Sequence, residues 1–546
     1  MKKPLSPAAA LGLLCAFSIP AVSLASGDGA PQLRSQGPAT QLYVDGKPFL
    51  ILGGELHNSS SSSLEYMGPI WERLQAQNLN TVLAGVSWEL VEPEEGRFDF
   101  RVVDGLVAQA RAHGMHLGLL WFGSWKNGMS SYAPAWVKAD SHRFPRVRLA
   151  DRSEPEVLTP LSAENAAADA RAFGALMGHL ASLDSRDHTV LLVQVENEVG
   201  ILGDSRDRSP AAEEAFRGPV PEDWFRYASG HTADLVPELR SRWEAAGAKT
   251  SGTWTDVFGE GAATDEIFMA WHYARYVDRV ATAGAAAYPI PLYANAWLND
   301  RGSKPGDYPS GGPLAHVINL WKAAAPHLSL LAPDLYASNF AERCALFTRC
   351  GNPLFIPETN RGAESARNLY LAVGAYRAIG FSPFAIDAIG AAAAAVPEGE
   401  RAAVGAAYGI LRQISPQVLL HQARGDLVGF VLDGDHPSVT ASLGGEMLEI
   451  SLDELFGHKA ERGAGLIMPN GPGQFLGAGS GFRVTFRSLP GVGGRVGIAA
   501  VDEGVFRDGA WVPGRRLNGD EDDQGRAWRF PPLEPGIETC TLYRGD

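Results

Sequence analysis

The 546-residue chain carries 62 acidic and 47 basic side chains, a formal charge of −15 at pH 7, with 45% hydrophobic and 9% aromatic residues. That balance argues against nucleic acid or an anionic membrane as partner, since both need clustered Lys and Arg, and leaves a neutral ligand open. The length exceeds one ordinary domain and points to two, one of them large.

In chain order, Lys2 and Lys3 precede an apolar stretch from Ala8 to Leu24, broken by Pro20 and followed by Ala25, Ser26 and Gly27. This reads as a cleaved secretory signal over residues 1–25, placing the mature protein in the periplasm or outside the cell. A membrane anchor is the alternative, against which stand the shortness of the stretch and its serine and proline. Leu14 before Cys15 is not the small residue of a lipobox. No other apolar run has spanning length, so the mature chain is expected to be soluble, with a formal charge of −15 − 2 = −17.

Eight apolar runs then read as strands: "FLILGGEL" (49–56), "TVLAGVSW" (81–88), "HLGLLWFG" (116–123), "TVLLVQVE" (189–196), "IPLYANAW" (290–297), "LSLLAP" (328–333), "PLFIPE" (353–358) and "SPFAIDAI" (382–389). Amphipathic segments such as "PIWERLQAQ" and "VDGLVAQARAHG" separate them, and the alternation predicts a (β/α)8 TIM barrel. Past Pro397 comes one more helix, "ERAAVGAAYGILRQIS", then short alternating runs such as "GDLVGFVLDGD", "MLEISLDEL" and "FRVTFRS". These predict a smaller antiparallel β-sandwich. The expected division is 26–418 for the barrel and 419–546 for the sandwich.

After signal cleavage the cysteines are Cys344, Cys350 and Cys540. An exported compartment permits a Cys344–Cys350 disulfide, and three free thiols is the equal alternative. Neither paired Cys/His spacing nor an HExxH helix is present, so no metal or cofactor is expected.

In a barrel, function collects where strands end. Val190 to Val195, interrupted only by Gln194, suits a parallel strand covered on both faces, and it delivers Asn197 and Glu198 at its C-terminal mouth. Strand seven ends at Glu358, in "LFIPETNRG". Two acids across one mouth meet the requirement of glycoside hydrolysis, where one carboxyl protonates the leaving oxygen and the other attacks the anomeric carbon or activates water.

The segments "QVENEVG", "GGELHNSS" and "NTVLAGVSWELVEPEEGRFDF" (80–100) resemble the retaining β-galactosidases of glycoside hydrolase family thirty-five, in a bacterial branch with a C-terminal β domain. The resemblance covers the barrel, and the Asn-Glu pair alone belongs to a wider clan of retaining barrel glycosidases. It implies Glu198 as acid/base and Glu358 as nucleophile. The chemistry fits: Glu358 needs nearby hydrogen-bond donors, with Asn360, Arg361 and Tyr336 as candidates, and Glu198 needs a drier setting that keeps its proton. Asn197 is placed to bind the sugar 2-hydroxyl. Glu196 points the other way along a strand and is expected to bond a barrel helix or loop.

Trp88, Trp125, Trp297 and Tyr336 lie at strand ends as candidate sugar platforms, Trp297 and Trp125 foremost. Glu55 and His57 follow strand one, where they either bind sugar hydroxyls or make structural hydrogen bonds. The loop "NDRGSKPGDYPSGGP" (299–313) either shapes the substrate site or is plain surface.

The chain departs from the family in two places. Gly85-Val86-Ser87-Trp88-Glu89 stands where many members have Tyr-Val-Pro-Trp-Asn, and Gly123-Ser124-Trp125-Lys126 where Ala-Glu-Trp is usual. The spacing of the two acids, 358 − 198 = 160, is also long, with the excess assigned to a helical insertion around 251–280 that walls the pocket. The expected activity is exo-acting removal of terminal β-linked galactose from plant-type polysaccharide or its oligosaccharides, xyloglucan among them. The alternatives are the same chemistry on a β-glucoside, β-fucoside or α-L-arabinoside, and a catalytically dead carbohydrate-binding barrel. The intact acid pair speaks against the last.

Overall fold

The computed structural model describes residues 29–388, 398–533 and 535–545, and the expected signal segment lies outside them. Eight parallel strands close into a barrel in sequence order: Ile51–Glu55, Thr81–Ser87, His116–Phe122, Val190–Val195, Leu292–Trp297, Leu330–Leu335, Ile356–Thr359 and Gly380–Pro383. All eight lie on or beside the apolar runs. The eighth begins two residues before its run and stops at Pro383, where the chain turns.

Each strand is short and buried, which is what a strand needs when helices cover it outside and side chains fill it inside. Leu83, Leu120, Leu192, Tyr293, Ala332 and Phe355 pack in one interior cluster. Leu42 and Val44, from an antiparallel N-terminal sheet (Gln32–Gln36, Ala39–Val44, Lys47–Phe49), join that cluster and plug the barrel floor. The mouth at the strands' C-terminal ends is the end left for a ligand.

The helix Ala163–Asp184 begins at Ser162, whose side chain accepts the N–H of Asn165. It packs along Ala262–Ala287, the crossover between strands four and five. The segment expected as a pocket-walling insertion therefore builds the barrel's outer layer. Loop 299–313 folds back instead: Ser310 and Ile201 exchange backbone hydrogen bonds of 2.9 and 3.0 Å, and Tyr308 and Ser310 are buried.

The helix Glu398–Arg424 leads from barrel to sandwich, so the division expected after residue 418 falls inside it. Two antiparallel sheets follow. Six strands run in the order Val428–Leu432, Gly463–Gly471, Gln474–Ser480, Gly536–Gly545, Arg495–Arg507, Ala510–Leu517. Four more run Ser438–Leu443, Glu446–Leu452, Phe482–Ser488, Trp528–Phe530. Phe430, Ile450, Phe475, Phe482, Val484 and Trp528 fill the space between them. Cys344, Cys350 and Cys540 are free thiols. Cys350 donates instead to the Asp234 carbonyl at 3.0 Å and accepts from Asn319. Among the described residues, no helix is long and apolar enough to cross a membrane.

The sandwich meets the barrel where Gly374, at the end of helix Ala363–Gly374, lies against Gly429 so closely that a Cβ on either would collide with the other's backbone. Gly374→Val should therefore cost about 1–3 kcal/mol by overpacking. Scanning calorimetry should show a lower unfolding midpoint, and an unshifted one would mean that the two backbones do not meet.

Candidate active site

Along strand four, alternation sends Val193 and Val195 to the helix layer and Leu192 and Gln194 into the barrel. The strand ends in a left-handed twist. Glu196 has φ +64° and Glu198 φ +45°, conformations costing roughly 1–3 kcal/mol each outside glycine. The twist sends the two acids to different surroundings.

Glu196 is fully buried, and its Oε2 accepts the Trp125 N–H at 2.8 Å. Beside it Asp169 accepts from Trp121 Nε1 (2.8 Å) and from Ser124 N–H and Oγ (3.1 and 2.6 Å). Burial first, and Asp169's charge second, push the Glu196 pKa well above the usual range. A side chain at Gly123 would come within 2.6 Å of Glu196 Oε1 and 2.9 Å of Asp169 Oδ1, so glycine is required there. This cluster fastens the strand-three loop to helix Ala163–Asp184.

Glu198 turns into the mouth. Its N–H donates to Asn295 Oδ1 at 3.0 Å, and the Asn127 amide donates to its Oε2. Glu358 arrives on strand seven, where Tyr336 donates its hydroxyl to Oε1 at 2.5 Å. Of the other donors expected for Glu358, Arg361 bonds the Ala385 carbonyl and Asn360 the Tyr336 carbonyl. Glu198, Glu358 and Asp334 each contribute an oxygen within 4.8 Å of the other two. Glu55 stands close behind, with Oε1 unpartnered. Desolvation raises the carboxyl pKa of Glu198 to about 7, helped by Glu358 and opposed by the Lys126 charge. It likewise drives Glu55 and Asp334 well above their usual values.

Asn197 is buried, its N–H donating to the Trp125 carbonyl at 3.2 Å and its Nδ2 without a protein partner. His57 is half-exposed; its backbone N–H donates to Asp387 Oδ1 at 2.9 Å and its ring Nδ1 lies 3.5 Å from the same oxygen. Of the four expected aromatic platforms, Trp297 (41% exposed) and Tyr336 (43%) remain open to solvent. Trp88 and Trp125 do not. Trp88 starts the short helix Trp88–Val91 and donates to Glu92 at 2.8 Å, while Trp125 is wedged edge-on against Tyr273 and Tyr276 and donates to the Leu158 carbonyl. Both fill the outer core, because the chain turns outward as it leaves strands two and three.

Four site residues have no role in the sequence reading: Asp334, Asn295, Lys126 and Asn127. Asp334 lies one position past the expected end of strand six at 333, and Lys126 is buried with its ammonium 5.2 Å from the Phe122 ring centroid. A lone acid or lysine just beyond an apolar run was the signal for each. Three clustered carboxyls have room for a divalent cation among them. Their surroundings, a tyrosine hydroxyl, two amides and a nearby ammonium, are those of acid–base groups, and none is assigned as a metal ligand.

The strand-two to strand-four region is similar to β-galactosidases. A family model described as Beta-galactosidase (Glyco_hydro_42) matches residues 64–246, a stretch that contains Asn197 and Glu198 and ends before Glu358. A second, described as a domain of unknown function (DUF5597), matches 404–529. The Beta-galactosidase of Xanthomonas manihotis is 30% identical over 203 residues, 36% of this chain and 31% of that protein. Beta-galactosidase 17 of Arabidopsis thaliana is 27% identical over 199 residues, 34% of this chain and 26% of that protein. The matched stretch thus spans under a third of these relatives' length. A crystal structure of β-galactosidase from Bacillus circulans sp. alkalophilus superposes with a TM-score of 0.46 at 16% identity, over 68% of this chain and 57% of that one.

The pH dependence follows from the Glu198 carboxyl. Below about pH 7 it holds a proton to give, and above about pH 7 it does not. The kcat/KM for a substrate needing a proton donor should fall on the alkaline side near pH 7. Lys126→Met, which removes a cation that favours the carboxylate, should move that limb to higher pH. A limb that stays put or moves down would show that Lys126 does not act on Glu198.

Proposed function

We propose that the protein is an exported, retaining, exo-acting glycoside hydrolase that removes terminal β-linked galactose from plant-type polysaccharide or its oligosaccharides, xyloglucan among them. The observation that carries this reading is the approach of Glu198 and Glu358 to within 4.8 Å across the barrel mouth. Retaining enzymes hold their carboxyls about 5–5.5 Å apart and inverting ones about 6.5–9.5 Å, the larger gap admitting a water. Similarity to β-galactosidases supports the sugar, and the resemblance of the strand-one and strand-two segments supports family thirty-five within that class.

In the first step a Glu358 oxygen bonds to the anomeric carbon as the glycosidic C–O bond breaks, and Glu198 passes its proton to the departing oxygen. In the second, Glu198, now a carboxylate, takes a proton from water while the water oxygen displaces Glu358. Two inversions return the β configuration. Tyr336 holds the Glu358 carboxyl in place. The unpartnered Asn197 amide suits the sugar 2-hydroxyl, and Trp297 offers a flat face beside it.

A second reading keeps this chemistry and changes the sugar. Lys126 favours it, because a buried ammonium sits beside the acids in the loop where the family usually carries Ala-Glu-Trp. Aryl β-galactoside, β-glucoside, β-fucoside and α-arabinoside should be compared. The β-galactoside should lead, a different leader selects the second reading, and no hydrolysis at all leaves a binding barrel.

The two glutamates separate by leaving group. Glu198→Ala should slow poor leaving groups by about 10²–10⁴ while largely sparing dinitrophenyl glycosides, which need no proton. Glu358→Ala should disable both alike. Added azide should give the β-glycosyl azide with the first variant and the α product with the second. Exchanged azide products, or a Glu198→Ala defect blind to the leaving group, would reverse or abolish the roles.

A further inference from the structure

Asp334 has no part in the two-glutamate scheme, yet it stands at its centre. On strand six its register partners are Glu358 on one side and Trp297 on the other, so Asp334 and Glu358 point the same way, into the mouth. Asn295 ties it to the acid/base: its Nδ2 donates to Asp334 Oδ2 at 2.6 Å while its Oδ1 accepts the Glu198 N–H at 3.0 Å. Oxygens of the Asp334 and Glu198 carboxyls lie within 4.8 Å of each other, and Asp334 Oδ1 is buried with no other partner. Two carboxyls this close and away from water resist ionising together, so at least one of them keeps a proton. The other groups facing Asp334 are Glu358, Glu55 and the phenols of Tyr293 and Tyr336, while Lys126 acts on Glu55 and Glu198. Below about pH 7 both carboxyls are neutral, and when Glu198 gives up its proton the one that remains stays on Asp334, because the Asn127 amide and the Lys126 charge support an anion at Glu198.

We propose that Asp334 is a positioning residue that stays protonated, donates its O–H to Glu198 and holds that glutamate toward the leaving oxygen. This rests on Glu198 being the acid/base. A neutral donor is replaceable by an amide, whereas an ionised carboxylate is not. In Asp334→Asn the new side chain can accept from Asn295 and donate to Glu198, reproducing both bonds. In Asp334→Ala, Glu198 loses the donor.

The test compares the two full-length variants. Asp334→Ala should lose about 10²-fold in kcat with little change in KM, as expected for a misplaced proton donor. Asp334→Asn should recover most of that loss, to within about fivefold of the parent, with its alkaline limb kept near pH 7. An Asp334→Asn enzyme as slow as Asp334→Ala would overturn the proposal. Infrared difference spectra of parent minus Asp334→Asn at pH 7 decide the matter without turnover. A protonated-carboxyl C=O band should be lost in the variant; loss of carboxylate bands instead would overturn the proposal. If no glycoside is hydrolysed, the functional reading fails while the spectrum still reports which carboxyl holds the proton.

Discussion

Four carboxyl groups, those of Glu55, Glu198, Asp334 and Glu358, are shut into the dry end of one barrel, and the cost of gathering them governs the rest of the site. Carboxyl oxygens of Glu198, Asp334 and Glu358 lie within 4.8 Å of one another, and even at that outer limit two like charges repel by about 3–4 kcal/mol at an effective dielectric of about 20. Desolvating each ion adds several kcal/mol. Protons are the cheapest relief, which is why burial moves three of the four toward their neutral forms. Lys126 supplies one charge, and Tyr336, Asn127 and Asn295 donate to Glu358, Glu198 and Asp334 in turn.

The architecture makes such crowding possible. Parallel strands finish at one rim, so residues distant in the chain arrive side by side through register alone, as Asp334 and Glu358 do. Their mounts are rigid because helices close the outer faces and the N-terminal sheet closes the floor. The sandwich braces the same mount from behind, through the helix that follows strand seven.

Much of this was legible beforehand, for physical reasons. A strand buried on both faces must read as an apolar run, so all eight were visible, and an acid ending such a run stands out, as Glu198 and Glu358 do. A tryptophan at a strand end is ambiguous, because the same letter serves a ring facing the mouth or one facing the helices; Trp297 took the first course, Trp88 and Trp125 the second. Asp334 and Lys126 stayed hidden because their meaning lies in what stands across the barrel. The division expected after residue 418 falls inside the helix Glu398–Arg424, which leads from one core to the other. Nothing in the spacing of Cys344 and Cys350 distinguishes a bridge from two thiols.

The left-handed backbone at Glu196 and Glu198 has a bearing on how improved versions of this protein are sought. Glycine or asparagine adopts that conformation at lower cost, and a neutral side chain at 198 also escapes the repulsion around it. A library screened for heat resistance alone will therefore accumulate changes at this end of strand four, Glu198 included, the residue proposed to give the proton, since such sites trade folding free energy for reactivity. Selection on this scaffold has to score turnover and robustness together, or it will breed sturdy proteins that do nothing.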